Sequence, residues 1–91
     1  MTTKEKIEKF LKEKLAPEYC EITDDSHLHA GHAGAKESGG GHFSVVIISQ
    51  NFAGLPLIKR HRMIYDALKE IKSEIHALAI KAMTSDESRR S

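Results

Sequence analysis

HFSVVIIS, residues 42–49, decides the fold. Phe43, Val45, Val46, Ile47 and Ile48 are apolar or β-branched almost without interruption. That is the pattern of a central strand covered on at least one face. Upstream, YCEIT (19–23) makes a shorter strand with Tyr19 and Ile22 as its apolar positions, stopped by Asp24, Asp25 and Ser26. Downstream, NFAGLP (51–56) is a turn or short helical segment. Pro56 stands near the first position of a helix, where its missing N–H costs nothing. The helix is expected to run to about Lys72, with Leu57, Ile64, Ala67, Leu68 and Ile71 on its buried side. IHALAIKAM (75–83) is a third strand.

The chain begins with a further helix. Ile7, Phe10, Leu11 and Leu15 recur at steps of three and four and form one apolar stripe. Thr2 and Glu5 fit a capping box, and Pro17 forbids continuation. The order helix, strand, strand, helix, strand describes an α+β domain with helices on one face of a three-stranded sheet. All 91 residues form one domain, with a His/Gly-rich loop over about 24–41 and a polar tail over about 85–91 that is expected to fray.

Composition narrows the function. The formal net charge is +1, a balance that does not announce nucleic-acid binding. A single cysteine, Cys20, rules out an internal disulfide and any metal site built from cysteine alone. Set in a strand, Cys20 reads as a small buried hydrophobe rather than a reactive thiol. No apolar run approaches the ~20 residues of a membrane span, and MTTKEKIEKF lacks the apolar core of a signal peptide. The expected setting is cytoplasmic, or the mature form of an organellar protein. No nucleophile has an adjacent base, and no paired-carboxylate motif or phosphate loop stands out, so catalysis is not expected.

DDSHLHAGHAGAKESGGGHF (24–43) holds four of the six histidines. Its glycines leave the backbone free, and a loop this long in a small domain is usually functional or disordered. His27, His29 and His32 spell H-x-H-x2-H, which suits weak and unselective binding of zinc, copper or nickel. A solvated loop without any ligand is the plain alternative.

DDSHLHAGHAG (24–34), HFSVVIIS (42–49), the run from Phe52 to Tyr65 ending in RHRMIY, and IHALAIKAMT (75–84) together resemble the BolA family over nearly the whole chain. The resemblance implies a fold like that of class II KH domains. It also implies a non-enzymatic adaptor that pairs with a monothiol glutaredoxin and shares a bridging [2Fe–2S] cluster with it and its glutathione. Its role would be iron–sulfur trafficking or iron regulation. The alternative it implies is a DNA-binding transcriptional regulator of morphology and stress response. Many relatives carry Glu-Trp after the last strand, whereas here Glu87 is followed by Ser88, which leaves the end of the domain open.

Histidine can replace cysteine on one iron of a [2Fe–2S] cluster. This chain would add two imidazoles to thiolates supplied by its partner, and the isolated protein would carry no cofactor. The resemblance points to His61, in RHRMIY, as one ligand, and to His29 in the loop as the other. His27, His32 and His42 are the alternatives to His29. His61 also stands four residues after Leu57 and three before Ile64, so spacing alone allows it simply to pack. His42 can equally be a supporting or structural residue, and His76 a sheet-edge or core histidine. For DNA, the candidate surface is Lys59, Arg60 and Arg62, with Lys69 and Lys72 further along the helix. A solvated basic face is the bland reading. RNA binding by the usual KH route is not expected, because no GXXG loop stands between helices.

Overall fold

A computed structural model of the chain describes residues 1–25 and 41–90. The elements, in chain order, are α1 (Thr3–Leu15), β1 (Tyr19–Asp24), β2 (Gly41–Ile48), a 3-10 turn (Gln50–Phe52) and α2 (Leu57–Ala67). A second 3-10 segment (Lys69–Glu74), β3 (Ile75–Met83) and a short helix α3 (Ser85–Arg90) complete the fold. The sheet order is β1-β2-β3. β1 runs antiparallel to β2, and β3 runs parallel to it. The expected α+β architecture and the central place of HFSVVIIS are both observed.

The strand period of two explains which sheet face is covered. Ile22 of β1, Phe43, Val45 and Ile47 of β2 and Ala82 of β3 are buried. Ile7, Leu11 and Leu15 of α1 pack with them, as do Ile64 and Ala67 of α2, Leu68, Ile71 and Phe52. Tyr19 does not share this face. It lies three residues from Ile22, so alternation turns it outward, where its hydroxyl donates to Glu21 Oε2 at 3.1 Å. Cys20 takes the inward position beside the core.

The capping box at the start of α1 forms as expected. Glu5 N–H donates to Thr2 Oγ1 (3.2 Å) and Thr2 N–H donates to Glu5 Oε1 (2.9 Å). At its end Ala16 adopts a left-handed conformation, φ 43°, ψ 56°.

Two expectations for the second helix are corrected. The second helix leaves α-geometry at Leu68 instead of running to Lys72, while Pro56 stands immediately before its first residue, as expected. The 3-10 winding that follows has three residues per turn, so Leu68 and Ile71 fall on one side and both bury. Leu57 is 63% exposed rather than buried. The inward stripe of α2 is Arg60, Ile64 and Ala67, and a search for apolar residues alone passes over its first member. The tail is helical over Ser85–Arg90, and Thr84-Ser85-Asp86-Glu87 forms a second capping box, with Thr84 N–H donating to Glu87 Oε1 (2.9 Å) and Glu87 N–H to Thr84 Oγ1 (3.3 Å).

Candidate functional site

The sheet register builds the first part of the site. Gly41 pairs with Ile75, but His42 pairs with Ala77, so β3 carries one extra residue, His76. A β-bulge of this kind re-aims a side chain and is frequent beside functional sites. Here it brings the exposed His76 ring to 5.1 Å from the ring of His42, centroid to centroid, tilted by 49°. Because β2 and β3 are parallel, both histidines stand at the entry end of their strands. Asp25, the last described residue before the His/Gly-rich stretch, arrives at the same end. Its N–H donates to His42 O at 2.7 Å, and its carboxylate accepts from Ser44 Oγ. His27, His29 and His32 lie outside the described residues.

His61 occupies a different surface. It sits half-exposed on α2, with Leu57 and Ile58 one turn before it and Tyr65 one turn after. Those three neighbours are 63%, 61% and 52% exposed. Three large side chains of apolar body thus stand exposed on one helix face. The packing alternative for His61 is therefore only half realised, since it lies between the buried stripe and this open patch.

The basic cluster divides. Lys59 and Arg62 are exposed, but Arg60 is only 6% exposed and is removed from the candidate nucleic-acid surface. Its Nε donates to Leu55 O (2.8 Å) and Nη1 to Ala82 O (3.1 Å), while both terminal nitrogens grip Glu87. Arg60 stays inside because each of its three guanidinium nitrogens meets an acceptor there. Nothing in RHRMIY announces this, although Thr84-x-x-Glu87 does signal the helix start that presents the carboxylate.

Among the described residues no group of three or more His, Cys, Asp and Glu could hold a metal ion. Cys20 is half-buried, and burial pushes its thiol up, away from the thiolate that a metal takes. Two imidazoles suffice for one iron of a cluster whose remaining ligands come from elsewhere, and the His42–His76 pair fits that partial donor set. No helix among the described residues is long and apolar enough to cross a membrane.

Known proteins agree with this architecture. Residues 11–87 match the family described as BolA-like protein, a match that ends at the carboxylate holding Arg60. The chain is 46% identical to SufE-like protein 1, chloroplastic/mitochondrial, of Arabidopsis thaliana, over 96% of this chain but only 24% of that longer protein. It is 38% identical to the DNA-binding transcriptional regulator BolA of Escherichia coli, over 96% of this chain and 80% of that one. The solved BolA domain of SufE1 from Arabidopsis thaliana superposes with a TM-score of 0.80 at 42% identity, covering 96% of each chain.

Proposed function

The chain belongs to the BolA-like protein family, and from that premise we propose that it is an adaptor that binds a monothiol glutaredoxin and co-ligates a bridging [2Fe–2S] cluster. The partner and its glutathione would supply thiolates. This chain would supply imidazoles, one from His76 and one from the stretch between Asp25 and Gly41, with His29 as the first candidate. The observation that carries the reading is the bulge that sets His76 beside His42 at the sheet end where that stretch begins and ends. His42 would position the His76 ring or replace the loop histidine. His61, named first on resemblance, is assigned here to the docking face, where Leu57, Ile58 and Tyr65 give a partner apolar surface to cover. The setting would be the cytoplasm or an organelle.

The test is visible circular dichroism of a cluster-loaded, glutathione-bound monothiol glutaredoxin as this protein is titrated in. A new spectrum saturating at one-to-one is expected. His76→Ala should change the bands that report the iron ligands, and His61→Ala should weaken the titration while leaving the saturated spectrum alone. If His61→Ala changes the saturated spectrum and His76→Ala does not, the ligand is His61. An unaltered glutaredoxin spectrum throughout would dismiss the shared cluster.

A further inference from the structure

β3 is an edge strand. It pairs with β2 alone, and among the described residues no hydrogen bond from outside the sheet reaches it between His76 and Ile80. Its far end is different, since Ala82 O is taken by Arg60. Edge strands are commonly protected by charge, proline or brevity. β3 is nine residues long, and its first six, Ile75 to Ile80, carry no Lys, Arg, Asp or Glu.

Beside that uncharged half lies a groove of about 550 Å³. Arg62, Tyr65, Lys69 and Lys72 form one wall, and His76 and Leu78 belong to the strand. None of the three cations is in an ion pair among the described residues, and Asp66 is the single acidic residue on the lining. An edge that offers both N–H and C=O, next to a wall of positive charge, fits one kind of occupant best.

We propose that the first half of β3 takes an extended acidic segment of a partner protein as an added strand, with carboxylates at alternate positions meeting Arg62, Lys69 and Lys72. Strand alternation presents every second side chain to the helix wall, which sets that spacing. A second copy of this chain is disfavoured, because twofold pairing of β3 with itself would bring two basic walls together. A DNA backbone has phosphate acceptors for the N–H groups but no donor for the carbonyls, and the ribose hydroxyls of RNA do not repeat at the strand spacing of the carbonyls. The proposal does not depend on the shared-cluster reading and is tested without cluster or glutaredoxin.

The experiment is a titration of the isotope-labelled, cluster-free full chain with a short, end-blocked peptide of alternating valine and glutamate, followed by amide NMR. Shifts confined to residues 75–80 and the facing part of α2 are expected, with slowed hydrogen exchange at the strand amides. Lys69→Glu combined with Lys72→Glu changes exposed side chains only and should weaken binding on the order of tenfold. The same peptide N-methylated at alternate residues should not bind. Equal binding of the N-methylated peptide would overturn strand addition. So would concentration-dependent shifts of the same amides without peptide, which mean self-pairing, or tighter binding there of oligothymidylate than of the peptide, which means nucleic acid.

Discussion

Arg60 on α2 and Glu87 on α3 form a two-pronged ion pair, Nη1 to Oε1 at 2.5 Å and Nη2 to Oε2 at 2.9 Å. Parallel bonds of this kind are stronger and more directional than a single contact. The pair ties the closing helix to the second helix, and Arg60 also holds the carbonyls of Leu55 and Ala82. Arg60→Ala leaves those acceptors without their donor and is expected to destabilise the protein by about 2–3 kcal/mol, measured by urea unfolding.

The same pair makes stability depend on pH. Arg60, with help from the Thr84 N–H, holds the Glu87 carboxyl down at about 2, against 4.5 for an ordinary glutamate. A depressed pKa contributes stability that is fully present above about 4.5 and is lost as pH falls toward about 2. Urea unfolding of the wild type and of Glu87→Gln across this range should therefore converge at the acid end. A gap between them that stays constant down to pH 2 would show that the carboxylate's charge is not what matters.

Ala16 closes α1 in the left-handed region, which a side chain disfavours and glycine does not. Ala16→Gly is expected to stabilise the fold by about 0.5–1 kcal/mol, and Ala16→Val to lower it. Thermal unfolding separates the two directions.

Ser49 locks the end of β2 to the end of α1. Its hydroxyl donates to Leu15 O at 2.9 Å and accepts from Asn51 N–H at 3.1 Å, inside the protein. Asn51 Nδ2 reaches the same carbonyl at 2.8 Å. Ser49→Ala leaves the Asn51 N–H without its partner while Leu15 O keeps one donor. A loss of about 1–2 kcal/mol in chemical unfolding is expected.

Leu57 and Ile58 contribute little to the core, so replacing both with serine should change stability by no more than about 0.5 kcal/mol. On the adaptor reading the same double variant should weaken glutaredoxin binding by about tenfold or more in calorimetry, as apolar anchors at the centre of an interface do. Unchanged affinity would move the docking face away from the exposed side of α2.

The BolA resemblance and the element order were legible because they rest on local patterns. Five apolar or β-branched residues in HFSVVIIS fit a buried strand, and Thr2 and Glu5 find each other within one turn. The capping box at Thr84–Glu87 is equally local, but no apolar run follows it to mark a helix. Tyr19 stands three residues from Ile22, so strand parity turns it to the open face in spite of its apolar ring.

Local pattern thus suffices for the order of the elements, for the family and for the residue types available to bind metal or partners. Which charge goes inside and that His76 meets His42 follow from long-range packing. Arg60 is buried because Leu55, Ala82 and Glu87 supply acceptors from three separate parts of the chain. His76 faces His42 because the register of β3 on β2 shifts by one residue at that point. Neither fact is local, since each depends on segments far apart in sequence being packed together by the core.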